Sequence, residues 1–234
     1  MAVCIWLQRA TLDITGTFNA GGDTQIVDMG KVTLRNSAAW NLRGSGNFVV
    51  GYSGGDIATL NIQDSATLNV DRSVGGEGSA SHGSLVLGMG ILGSSYTGSV
   101  NQNGGTFDTT DFSSCVTGNG PGIILGGTFP GGQVQATYNL NGGTLHTSGV
   151  FNVNEVENGS GQWTLSPPSD VNQVATFNFN GGILQASQSD SADAEIVAES
   201  LGHLVGNLSH ADVQAGGAKI DSNGFTVSIN QSGA

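Results

Sequence analysis

Asp108 and His146 are the pair in this chain whose residue types could do acid–base chemistry, because a carboxylate can orient an imidazole to act as general base. Asp111 and Cys115 follow Asp108 closely and could join such a centre. Further along, His203, His210 and Asp212 carry metal-ligating side chains. A metal would need two or more of these to converge, and their spacing lacks the i, i+4 pair of a helical site. Histidines on the surface of an inserted loop are the simpler expectation. Serine nucleophile elbows are absent, and no glycine loop is followed by the Lys-Ser/Thr that binds phosphate. Asp108 and His146 lie 38 residues apart (108 to 146), so only the architecture can bring them together.

Internal repetition supplies that architecture. Ala136-Thr137-Tyr138-Asn139-Leu140-Asn141-Gly142-Gly143-Thr144-Leu145-His146 matches Ala175-Thr176-Phe177-Asn178-Phe179-Asn180-Gly181-Gly182-Ile183-Leu184-Gln185. Gly98-Ser99-Val100-Asn101-Gln102-Asn103-Gly104-Gly105-Thr106-Phe107-Asp108 is a third copy, with spacings of 38 (101 to 139) and 39 residues (139 to 178). A looser pair, Lys31–Leu42 and Thr59–Val70, is offset by 28 (31 to 59). A further strand signature recurs as Phe48-Val49-Val50-Gly51, Leu85-Val86-Leu87-Gly88 and Ile123-Ile124-Leu125-Gly126. Apolar and polar residues alternate at period two, so each copy is a strand with one apolar face. One such unit cannot bury that face alone, whereas stacked units cover one another at the ~4.8 Å strand spacing. The expected fold is therefore all-β: a right-handed parallel β-helix, or β-solenoid, of stacked strand–Gly-Gly–strand coils with inserted loops. The Gly-Gly pairs are expected to make sharp corners.

Stacking turns equivalent positions into columns. Val100, Tyr138 and Phe177 form one inward column, and Phe107, Leu145 and Leu184 another. Asn61, Asn101, Asn139 and Asn178 form an outward ladder whose amides can bond along the axis. Gln102 is the polar member of an inward column otherwise holding Ile62, Leu140 and Phe179, and calls for a backbone partner. The outward column Asn41, Asn69, Asp108, His146, Gln185 makes Asp108 and His146 neighbours on adjacent coils. An exposed polar ladder with one weak ion pair accounts for the same residues.

Composition narrows the partners. Glycine supplies 39 of 234 residues, yet short apolar stretches recur between the glycines, which fits many short strands joined by turns. Net charge is −12 with six Lys and Arg, namely Arg9, Lys31, Arg35, Arg43, Arg72 and Lys219. That excludes a cationic surface for nucleic acid and disfavours anionic membranes. No run reaches the roughly 20 apolar residues of a membrane helix. The apolar opening Met1–Leu7 is too short for a signal-peptide core, so no signal peptide is expected in this chain. Cys4 and Cys115 do not form a zinc-type set and are expected to be free thiols, although one disulfide is arithmetically open. The Gly/Asp/Asn loops do not follow the nine-residue calcium consensus, so no cofactor is expected beyond adventitious calcium.

From Phe177 to Gln231 the sequence resembles a known family. Phe179-Asn180-Gly181-Gly182-Ile183-Leu184-Gln185-Ala186 leads, after a spacer, to Asp212-Val213-Gln214-Ala215-Gly216-Gly217-Ala218-Lys219-Ile220-Asp221-Ser222-Asn223-Gly224-Phe225-Thr226-Val227-Ser228-Ile229. This closely resembles the autotransporter-type, passenger-associated β-strand repeat of very large bacterial surface and secreted proteins. The style persists, more weakly, back to about Thr11. The resemblance implies a β-helical stalk or passenger exported in its parent protein, extracellular or at the cell surface. It carries over no catalytic residues. Both ends read as cuts through a longer array. Residues 1–234 are expected to form a single solenoid domain, with 1–10 as a cap or an arbitrary start. Residues 186–211 are expected to form an inserted loop with a short helix capped by Ser191.

The leading expectation is a non-enzymatic segment of an extracellular solenoid, an adhesin-like surface spacer contacting polysaccharide or neighbouring chains, with end-to-end self-association through unpaired strands. The alternative is a carbohydrate- or ester-active hydrolase or lyase. Asp108 and His146 would be its catalytic residues, and Asp71 and Arg72 beside the loop Gly75-Gly76-Glu77-Gly78 its most lyase-like grouping.

Overall fold

Period-two alternation makes each repeat a strand, and the strands of successive repeats lie side by side in parallel. The computed structural model describes residues 5–7, 10–21, 24–26, 30–43, 48–52, 57–71, 85–89, 95–109, 122–126, 133–152, 154–158, 162–166, 172–190 and 203–231. Every regular element among them is a strand, and none is a helix.

The strands, numbered in chain order, sort into two main sheets. The smaller holds β1 (Ile5–Leu7), β4 (Thr24–Ile26), β7 (Phe48–Tyr52), β10 (Leu85–Met89), β12 (Ile123–Leu125), β14 (Val150–Phe151), β19 (Val205–Gly206) and β22 (Ile229–Asn230), in that spatial order. The main path of the larger runs β2 (Thr11–Ile14), β5 (Lys31–Leu34), β8 (Ile57–Ile62), β11 (Ser95–Asp108), β13 (Gln133–Thr147), β17 (Gln173–Phe179), β20 (His210–Val213). Beside it lie β3 (Thr17–Gly21), β6 (Ala39–Arg43), β9 (Thr67–Asp71), β18 (Ile183–Ala186) and β21 (Lys219–Asp221), joined through the far halves of β11 and β13. The chain visits the two sheets in turn, and each visit sets a new strand parallel to the last. The one antiparallel pair among the described residues is the hairpin of β15 (Asn154–Asn158) and β16 (Gln162–Ser166). Neither main sheet closes into a barrel among these residues.

Pairing follows the repeat offsets. Lys31 opposes Thr59, Ser99 opposes Thr137, and Thr137 opposes Thr176. The expected inward columns are present, with Val100, Tyr138, Phe177, Phe107, Leu145 and Leu184 all fully buried. Trp40 of β6 meets Phe48 of β7 edge-on at 5.2 Å, so the core fills the space between the two sheets. Tyr138 stacks on Phe177 at 5.3 Å within it. Columns end uncovered at β20, β21 and β22, where Val213, Ile220 and Ile229 are 64%, 43% and 47% exposed.

Two of the three glycine pairs differ from the expected sharp corners, while Gly181-Gly182 sits at a bend between β17 and β18 as expected. Gly104-Gly105 and Gly142-Gly143 lie inside the unbroken strands β11 and β13, at an irregularity in the β11–β13 pairing. Gly105 and Gly143 hold φ of 67° and 72°, where L side chains are strained. Space is the second constraint: a Cβ on Gly143 would sit 2.2 Å from the Gly105 carbonyl oxygen. The glycines thus let neighbouring backbones approach closely at a kink. In the earlier repeats Asn36 and Asp64 supply the left-handed residue instead, at φ of 61° and 55°.

Within the expected 186–211 insertion, residues 205–206 and 210–211 are strand, continuing the two sheets. The helix expected from Ser191 lies outside the described residues, as do Cys4 and Cys115. Among the described residues no helix is long and apolar enough to cross a membrane.

Candidate functional site

Strand pairing brings Asp108 and His146 together. They are direct partners on β11 and β13, and Asp108 Oδ2 lies 3.5 Å from His146 Nδ1. That distance makes a loose contact rather than a tight hydrogen bond. The side chains are 36% and 24% exposed. Thr109 pins the His146 backbone, donating from its N–H (2.9 Å) and its hydroxyl (3.3 Å) to the His146 carbonyl. His146 Nε2 is buried and has no hydrogen-bond partner among the described residues. A carboxylate at Nδ1 with Nε2 left over is the ring orientation of a general-base histidine, although Nε2 here is closed to solvent.

The neighbours in the column do not complete a catalytic set. Gln185, opposite His146 on β18, donates to Asp221 Oδ2 at 2.8 Å. That bond, followed by the Asn223 backbone N–H and more weakly by His146, holds the Asp221 carboxyl below its ordinary value. Asp111 and Cys115 lie outside the described residues, as do Arg72 and the Gly75–Gly78 loop. Asp71 ends β9 opposite Arg43.

The histidines nearer the carboxyl end do not converge. His210 and Asp212 sit on β20 opposite Thr176 and Asn178. His203 instead joins Asp190 and Ser228, and no group of three or more His, Cys, Asp or Glu suited to a metal exists among the described residues. Ser228 Oγ donates to Asp190 Oδ2 at 2.5 Å and lies 2.5 Å from His203 Nδ1, which is itself 3.5 Å from Asp190 Oδ2. The serine has one proton. With that proton on the Asp190 contact, His203 must be the donor, Nδ1–H to Ser228 Oγ. The wiring therefore differs from a Ser-His-Asp relay, in which histidine lies between the other two and uses both ring nitrogens. Repeat counting alone gave no sign of this cluster, because 25 residues separate His203 from Ser228 and His203 lies in the spacer between repeats.

Elsewhere the outward polar face is bonded to itself. Asn101 donates to Asn61, Asn139 to Asn101, and Asn178 to Asn139, at 3.0, 2.8 and 2.7 Å. A second run links Asn180, Asn141 and Asn103 at 3.0 and 2.9 Å, and a third links Asn69, Asn41 and Asn19. In each run the later residue donates to the earlier one. Inside the core, Gln102 has the backbone partner its position called for, donating to the Thr144 carbonyl at 2.9 Å. Its Oε1 accepts from the Tyr138 hydroxyl at 2.6 Å. The signal for that second bond was a tyrosine in a column otherwise filled by Val100 and Phe177. Burial pushes the Tyr138 phenol well above its ordinary pKa, so it stays a donor.

No family model, curated protein or solved structure matches the chain. Function is therefore read from these arrangements.

Proposed function

We propose that the chain is a stretch of right-handed parallel β-solenoid acting as a non-catalytic spacer, carried outside the cell in an autotransporter-like passenger and contacting glycans or neighbouring chains. The observation that carries this reading is the bonding of outward amides to one another in three aligned runs. An amide is donor and acceptor at once, so a column of them extends by simple repetition and needs no outside partner. Such a face favours regular lengthening over convergent chemistry. The repeat's resemblance to passenger strands supports the extracellular setting. Small-angle scattering tests the shape, with the scattering of a rod of constant cross-section expected. A compact globule would overturn the reading. A panel of polysaccharides then tests the role, with binding or indifference expected and chain cleavage counting against it.

A second reading has one specific observation in its favour. Asp108 and the unpartnered Nε2 of His146 fit a general base acting on a glycan or ester. Cleavage of a polysaccharide that disappears in both His146→Ala and Asp108→Ala would favour it over the spacer.

A further inference from the structure

Several hydroxyls among the described residues are bonded to neutral groups. Ser65 donates to the Asn36 carbonyl, Ser99 lies against the Ala58 carbonyl and the Thr59 hydroxyl, and Ser209 donates to the Gln173 carbonyl. Ser228 is different. Its hydroxyl proton points at a carboxylate, Asp190 Oδ2 at 2.5 Å, while its oxygen receives His203 Nδ1–H at 2.5 Å. A carboxylate in that place accepts the proton as the oxygen attacks, and the ring N–H on the same oxygen holds the hydroxyl with its proton facing the carboxylate. Ser228 itself is exposed, whereas Asp190 and His203 keep only 20% and 18% of their side-chain surface. Backbone bonds fix all three groups. Asp190 N–H donates to Thr226 O at 2.7 Å, and Leu204 N–H, just after His203, donates to Ser228 O at 2.9 Å.

We infer that Ser228 is an acyl-acceptor site, modified by a short, activated, uncharged acyl ester. Ser228 Oγ bonds to the ester carbonyl carbon and its proton passes to Asp190. The ester C–O bond then breaks, and the departing alcohol leaves with the proton from Asp190. The product is an O-acyl serine and one free alcohol, with no oxidant or reductant required. Net charge of −12 favours an uncharged donor over an anionic one. This site is separate from Asp108 and His146 and does not depend on the spacer reading. One acylation per chain needs no turnover.

The test uses the full chain with p-nitrophenyl acetate, following nitrophenol release and mapping the adduct by peptide mass spectrometry. One equivalent released per chain, with the acetyl group on Ser228, is expected. Acylation there should outpace that of the other exposed serines by about 10²-fold, the lower end of what a positioned proton acceptor provides. Asp190→Asn should remove most of that advantage, and His203→Ala part of it, with the far-ultraviolet β spectrum of each variant checked for folding. If a variant fails to fold, the wild-type adduct map decides alone. Acetyl groups spread evenly over surface serines, or none at all, would overturn the proposal. So would a Ser228 adduct that forms at the same rate in folded Asp190→Asn.

Discussion

Two places where the repeat departs from itself end in opposite ways. Gln102 breaks an inward apolar column and Asp108–His146 breaks an outward amide column, both along β11 and β13. Around Gln102 both ends of the amide are bonded, to the Thr144 carbonyl and to the Tyr138 hydroxyl. Around His146 one ring nitrogen has a long contact to Asp108 and the other, though buried, has none. The side chains differ in burial: Gln102 is fully buried, while Asp108 and His146 keep 36% and 24% of their side-chain surface. A buried polar atom left unmatched costs stability, so the unpaired Nε2 is a cost carried at His146 and absent at Gln102. A departure whose polar atoms are all matched is structural, and one that keeps an unmet atom is where function can enter.

The largest effect should come from breaking the matched departure. Tyr138→Phe leaves Gln102 Oε1 buried without its donor and should lower stability by about 1–3 kcal/mol, measured by urea unfolding. Adding Gln102→Leu restores the apolar residue found at Leu34, Ile62 and Leu140 in that column. Replacing both partners together should bring stability back to within about 1 kcal/mol of wild type. A double variant as unstable as the single one would mean the pair is not coupled.

Asn139→Ala, in the unbroken amide column, serves as reference. It removes two neutral hydrogen bonds, to Asn101 and from Asn178, at positions only partly buried. A loss of about 1–2 kcal/mol is expected. His146→Ala should be milder, below about 1 kcal/mol, as for other partly exposed ion pairs. If His146→Ala proved the more damaging of the two, the open departure would be holding the fold together, and the contrast between the two regions would fail.

Much of this was legible from spacing. Once Asn101, Asn139 and Asn178 were aligned, counting placed Asp108 beside His146 and Val100 beneath Tyr138, because parallel pairing keeps the same offset on both sides of the irregularity at the glycine pairs. Bond direction and geometry were not legible. Gly142-Gly143 reads as a corner, whereas the strand runs on through it and the glycines answer a close backbone approach. The Asp190–Ser228–His203 cluster was not legible because Asp190 and His203 come from the spacer between clear repeats, where no column fixes which side chains meet Ser228. Sequence periodicity carries register well; it carries little about joints that occur once.

The smallest effect concerns the far end of the broken column, at Asp221. Gln185 and the Asn223 N–H bond its ionised carboxylate, so its pKa is lowered on folding. The sign follows: the contribution is complete above the unfolded carboxylate value and is lost as pH falls through the lower, folded value. At neutral pH the contact is intact, and only strongly acid conditions release Gln185. Following the Asp221 carboxyl by NMR should show a midpoint below that of an ordinary aspartate. Gln185→Leu, which removes the largest cause, should move it back upward. His146→Ala should move it in the same direction but less, because the His146 charge is the weakest of the forces that lower it. A midpoint that ignores Gln185→Leu while responding to His146→Ala would reverse that ranking. It would also make His146 and Asp221 an electrostatic pair reaching across Gln185, and the open departure would then extend two strands beyond β13.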